Sequence, residues 1–89
     1  MVTLRLIIKG KVQGVFYRAT AKEIADELGI TGWVKNAPEG SVEAVATGDE
    51  KQLQAFLAWC KKGPSRASVS EVISTEQEET PFKNFSVIR

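Results

Sequence analysis

The chain is expected to fold as an α+β sandwich of element order βαββαβ, an antiparallel sheet with both helices on one face and a short extra C-terminal strand. Three observations lead there. The chain opens on apolar–polar alternation, with one face apolar and the other mixed. Two stretches of helical periodicity follow, each closed by a glycine. The segments between and after them return to β-type patterning bounded by turn residues.

Element by element, Thr3 to Lys9 places Leu4, Leu6 and Ile8 on one face and Thr3, Arg5, Ile7 and Lys9 on the other, as a strand does. Ala21, Ile24, Ala25 and Leu28 recur at i, i+3, i+4 and i+7, and Tyr17 extends that stripe backwards. This predicts an amphipathic helix of roughly three turns, with Gly29 just past its end. Ile30 to Asn36 reads as the second strand. Ala37-Pro38-Glu39-Gly40 is a turn, and Ser41 to Thr47 is the third strand, with Val42, Ala44 and Ala46 on one face. Thr47 with Glu50, and Asp49 with Gln52, both have capping-box spacing, so the second helix starts near here. Leu53, Phe56, Leu57 and Cys60 form its apolar stripe, and Gly63-Pro64 ends it. Ala67 to Thr75 is a fourth strand in which Val69 and Val72 break the alternation, the mark of a bulge. Glu76 to Lys83 reads as a solvated acidic loop, and Phe85 to Ile88 as a short last strand.

A split βαβ order of this kind is the ferredoxin-like arrangement. Helix 1 returns the chain, so strands one and two run the same way, with the third strand between them. The first two strands are then about 9–10 Å apart, twice the inter-strand spacing. Residues 13–18 and 36–40 should therefore line one crevice.

At 89 residues the chain has room for one core, and residues 1–89 read as a single domain. Its 43% hydrophobic and 26% charged residues are those of an ordinary globular protein, and a net charge of +1 offers no polyanion-binding surface. No apolar run approaches the ~20 residues of a membrane span, and the first residues lead straight into a strand without a signal-peptide pattern. The single cysteine, Cys60, allows no internal disulfide and suits a reducing compartment, so a cytoplasmic location is expected. It reads as a small core residue on a helix face. Trp33 and Trp59 read as packing or partly exposed aromatics. The chain contains no histidine, which excludes Ser-His and Cys-His nucleophiles and histidine base catalysis. No ligand spacing suggests a metal, and no cofactor is expected.

The stretch richest in chemistry is Gly10-Lys11-Val12-Gln13-Gly14-Val15-Phe16-Tyr17-Arg18, read as a strand-to-helix loop. Its glycines let the backbone fold tightly and gather amide N–H groups around a point. Arg18 falls at the start of the helix, where a cation opposes the macrodipole by about 0.3–1 kcal/mol. An anion bound among those amides reverses that sign, because N–H groups and guanidinium then face one negative charge. A solvated helix arginine is the plainer alternative for Arg18, which the glycine loop and the unfavourable dipole position weigh against, and a turn residue is an equal alternative for Asn36.

The loop GKVQGVFYR, with Gly32-Trp33-Val34-Lys35-Asn36 followed by Gly40-Ser41-Val42 and Gly48, resembles the two signatures of the acylphosphatase family. The resemblance spans nearly the whole chain, and Tyr17 departs from it where phenylalanine is usual. It implies hydrolysis of acyl phosphates to carboxylate and phosphate, with Arg18 binding the phosphate and Asn36 orienting the attacking water. It further implies that the amides of Gln13, Gly14, Val15, Phe16, Tyr17 and Arg18 cradle the phosphoryl oxygens. The expected partner is a small acyl phosphate, with no nucleic acid, no membrane and a monomeric chain. Two other readings stand beside it. One is a module that senses phosphate without turning it over. The other is an RNA-binding domain of the same fold class, which strands 1 and 3 oppose by carrying no aromatic side chain.

Overall fold

The opening alternation becomes strand β1 (Val2–Lys11) of a computed structural model that covers residues 1–89. Leu6 and Ile8 point into the core, Arg5 and Lys9 to solvent. Helix α1 (Tyr17–Leu28) buries Tyr17, Ala21 and Ala25, with Ile24 and Leu28 half-buried at its margin. Strands β2 (Thr31–Asn36) and β3 (Val42–Gly48) follow. Of the two candidate capping boxes before α2 (Glu50–Lys62), Asp49–Gln52 forms. The Gln52 N–H donates to Asp49 Oδ1 at 2.7 Å, and the Asp49 N–H to Gln52 Oε1 at 2.8 Å. Leu53, Phe56 and Cys60 are the buried stripe of α2. Strands β4 (Ser68–Gln77) and β5 (Phe85–Ile88) complete the chain.

The sheet order is β4-β1-β3-β2-β5, with β3 between β1 and β2 as expected. Four strands pair antiparallel, but β5 runs parallel to β2, with Gly32 opposite Phe85 and Lys35 opposite Ile88. The sheet is therefore mixed, where the sequence suggests a purely antiparallel one. The reason is topological. β4 and β5 occupy opposite edges, and Gln77 at the end of β4 lies beside Thr3, near the start of β1. The chain crosses the sheet at that end, so β5 begins where β2 begins and runs with it. The crossing is close enough for the Gly32 N–H to donate to the Asn84 carbonyl at 3.0 Å. On its other side, a Cβ at Gly32 would lie 1.8 Å from the Val45 oxygen, so only glycine fits.

Strand β1 runs two residues further than its patterning indicates. Gly10 and Lys11 pair with Val69 and Ser68, and the register shift after Lys9 leaves Ser70 as an extra residue on β4. That is the bulge implied by Val69 and Val72, and it moves the start of the strand-to-helix loop from Gly10 to Val12.

Both helices cover one face, where residues of β1, β2, β3, α1, α2 and β5 share one apolar cluster. Phe56 meets Phe85 edge-on at 5.8 Å between ring centroids. Tyr17 lies with its ring 5.1 Å from that of Trp59, and its hydroxyl donates to the buried Cys60 carbonyl at 2.8 Å. Burial pushes the Tyr17 phenol up, reinforced by the neighbouring Cys60 thiol. Burial likewise pushes the Cys60 thiol up to about 12.

The helix-free face carries a polar latch that the patterning of residues 76–83 does not suggest. Glu76 and Gln77 belong to β4, and although Glu78 and Glu79 are exposed, the main chain at Thr80 is pinned to the sheet. The Thr80 N–H donates to Thr3 Oγ1 at 2.9 Å, and Thr47 Oγ1 donates to the Thr80 carbonyl at 2.8 Å. Thr47 has only one proton to give, so in the 2.7 Å contact between the hydroxyls Thr3 is the donor. The result is a closed ring running from Thr80 N–H through Thr3 and Thr47 back to the Thr80 carbonyl, with every donor matched.

Thr47→Val breaks the ring and strands the Thr80 carbonyl and the Thr3 proton, so urea denaturation should show a loss of about 1–3 kcal/mol. Thr3→Val added to it should cost much less than its effect alone. For Cys60 the sign is set by a folded-state pKa above the unfolded one. Its contribution to stability is complete below pH ~9 and is lost as pH rises towards about 12. Unfolding free energies from pH 9 to 11 should fall less steeply in Cys60→Ala than in the parent, by up to ~1.4 kcal/mol per pH unit.

Candidate active site

The loop between β1 and α1 is fixed from below by Val12 and Val15, both buried in the core. Between these anchors Gly14 (φ 74°) and Phe16 (φ 63°) take the left-handed conformation. Left-handed residues alternating along a short loop turn its N–H groups towards a common centre. For a bulky residue such as Phe16 that conformation costs roughly 1–2 kcal/mol. It is held in place by Thr20, whose N–H and hydroxyl both donate to the Phe16 carbonyl, at 3.1 and 2.8 Å.

This loop is unusual for what its donors do not do. From Gln13 to Ala19 no amide N–H is taken by a main-chain or side-chain acceptor of the chain. Helix α1 has no side-chain cap and no acidic residue in its first turn. Helices ordinarily satisfy these groups with Ser, Thr, Asp or Asn at the cap. Here a row of donors at the positive end of the helix is left without a partner in the chain.

Arg18 is the second residue of α1, and no carboxylate pairs with it. Its guanidinium gives one hydrogen bond, from Nη1 to the Ile88 carbonyl at 3.0 Å, which tethers it to the last strand and leaves its other donors free. Asn36 ends β2, the strand against which β5 pairs. Its side-chain Oδ1 is buried and has no hydrogen-bond partner. Arg18 and Asn36 line the same cleft of about 280 Å³, together with Gly14, Phe16, Val87 and Arg89.

The expected site residues thus fall into distinct places. Gly14, Phe16, Tyr17, Arg18 and Asn36 border the cleft. Val15 sends its side chain into the core and does not line the cleft. Gln13 reaches away from the cleft, and its Nε2 donates to the Ala37 and Ser41 carbonyls at 2.8 and 2.9 Å. It bolts the loop to the β2–β3 turn and so holds the two walls in register. Val87, Ile88 and Arg89 are the residues sequence reasoning missed. The signal was the final strand itself, whose parallel course along β2 carries its end to this edge.

Comparison with known proteins bears on the whole chain. A family model described as Acylphosphatase matches residues 4–87. An acylphosphatase of Marinobacter nauticus is 52% identical over 82 residues, covering 88% of this chain and 89% of the relative. The crystal structure of acylphosphatase from Bacillus subtilis superposes with a TM-score of 0.96 at 36% identity, covering 100% of both chains. The structure of an acylphosphatase from Coxiella burnetii gives 0.94 at 38% identity, covering 98% of this chain and 92% of that one. Family model, curated relative and solved structures agree from end to end, and the chain therefore belongs to the acylphosphatase family of hydrolases.

Proposed function

We propose that the chain hydrolyses the carboxyl–phosphate bond of acyl phosphates by in-line attack of a water molecule, with Arg18 and the amides of residues 13–18 holding the phosphoryl group. The observation that carries this reading is the pairing in one cleft of an uncompensated guanidinium with a buried, unpartnered acceptor, Asn36 Oδ1. Arg18 and the row of free N–H groups draw in phosphoryl oxygens, and in a partly desolvated cleft such donors act strongly on charge that grows in the transition state. Asn36 Oδ1 accepts a hydrogen bond from water and sets the direction of its lone pair.

Neither side chain is a base. A guanidinium offers donors only, and a carboxamide does not take a proton from water. The reaction proceeds because its substrate is already activated. The leaving group is a carboxylate, whose acid has a pKa of roughly 4. The phosphoryl transition state is loose and asks for little covalent help, and the proton of the attacking water passes to the phosphoryl group itself. Positioning and charge stabilisation then suffice. A phosphate monoester, with its far poorer leaving group, is not turned over.

The partner is a small molecule. Arg5 and Lys35 on the helix-free face are both engaged by Glu43, and a net charge of +1 supplies no strongly basic surface for a nucleic acid. No helix is long and apolar enough to cross a membrane. A single thiol that is buried suits a monomer working in the reducing cytoplasm.

Benzoyl phosphate should be hydrolysed rapidly in the presence of chelator. Arg18→Ala and Asn36→Ala should each lower kcat by about 10²–10³-fold or more. Activity retained by both variants would overturn the assignment. Phosphate binding without turnover by the wild-type chain would favour a sensing module instead. Asn36→Ala also removes an unsatisfied buried acceptor, so its unfolding free energy should be unchanged or higher while activity is lost. A merely structural asparagine would show the opposite.

A further inference from the structure

Phe16 is 73% exposed although its neighbour Tyr17 is 1% exposed. Tyr17 has a structural occupation, its ring against Trp59 and its hydroxyl on the Cys60 carbonyl. Phe16 has none, since none of the aromatic pairs of the chain includes it. The loop asks only for a left-handed backbone with an N–H at this position. Glycine, as at Gly14, would supply both without strain, and asparagine would do so more easily than phenylalanine. The ring is therefore an expense to the folded chain on two grounds, backbone strain and apolar surface left in water.

Its position suggests what offsets that. Phe16 borders the cleft shared by Arg18 and Asn36, and Val12, Ala19 and Val87 continue the apolar lining. The ring thus stands beside a set of anion-holding donors with one face open. Resting on the acyl phosphate reading, the substrate has two parts of opposite character: a phosphoryl group that goes to the donors, and an acyl group that must lie next to them. A cleft of about 280 Å³ takes a phosphoryl group and a small acyl group at most.

We propose that the exposed ring of Phe16 is the acyl-group platform of this enzyme, selecting acyl phosphates with flat, apolar acyl groups over short aliphatic ones. The contact is stacking and apolar burial. It makes Phe16 a specificity residue whose side chain acts on the acyl group while its amide faces the phosphoryl group.

The test is the ratio of kcat/KM for benzoyl phosphate to that for acetyl phosphate, measured in the wild type and in Phe16→Gly, Phe16→Leu and Phe16→Tyr. Differences in intrinsic reactivity cancel when each variant's ratio is divided by that of the wild type. In Phe16→Gly the ratio should fall about three- to tenfold, chiefly through a higher KM for benzoyl phosphate. Phe16→Leu should fall part of the way, and Phe16→Tyr should hold the wild-type value. A ratio within twofold of wild type in Phe16→Gly would overturn the proposal, whether or not both activities drop together. Should Phe16→Gly be inactive, equal ratios in Phe16→Leu and Phe16→Tyr would overturn it instead. A wild-type chain that hydrolyses neither compound overturns the acyl phosphate reading itself, an outcome distinct from an unchanged ratio in active variants.

Discussion

The Gln13 carboxamide gives both of its protons to main-chain carbonyls across the crevice, those of Ala37 and Ser41. The two walls of the cleft belong to segments more than twenty residues apart in the chain, and β1 and β2 do not touch because β3 lies between them. Without a cross-brace the loop that carries Gly14, Phe16 and Arg18 could move relative to the strand end that carries Asn36. A bidentate side chain that bonds to main chain, rather than to other side chains, transmits the position of one backbone to the other with few free torsions. The register between Arg18 and Asn36 follows from that contact.

A second constraint acts from the far end of the sheet. The ring of Thr80, Thr3 and Thr47 holds the crossing segment against the helix-free face, so that β5 enters the sheet beside the start of β2. Because β5 then runs parallel to β2, it delivers Ile88 and Arg89 to the edge where β1 and β2 end. The Ile88 carbonyl takes a hydrogen bond from Arg18 and fixes the guanidinium at the cleft. Three hydroxyl and amide groups at one end of the molecule thus help to decide where a side chain sits at the other.

Unsatisfied and strained groups gather around one cleft. The seven amides from Gln13 to Ala19 are without internal acceptors, Phe16 holds a left-handed backbone, and Asn36 Oδ1 is buried without a donor. Elsewhere the chain is well satisfied: a full capping box on α2, a glycine closing α1, and a buried tyrosine with its hydroxyl paired. Departures from good local design confined to one cleft are what a preorganised binding site requires, since its donors and acceptors must be kept for something outside the chain. The apolar cluster beneath, with Val12 and Val15 driven into it, holds the loop in that state.

The element order, both helical stripes, the Asp49–Gln52 cap, the bulge in β4 and the placing of β3 between β1 and β2 were legible in residue patterning alone. The stripes, the cap and the bulge are local properties, set by periodicity and capping chemistry within a few residues, and the strand placement follows from the fixed hand of the crossover. The pairing of Arg18 with Asn36 on one edge was legible too, because the handedness of a βαβ crossover leaves few choices. Tertiary structure alone decided the rest. The parallel course of β5, the threonine latch at Thr80, the partner of the Tyr17 hydroxyl and the tether from Arg18 to Ile88 join residues far apart in sequence. Short polar side chains such as Thr3 and Thr47 look the same in a sequence whether water or a distant carbonyl will satisfy them. Only the packed chain, by excluding water from one and not the other, makes that choice.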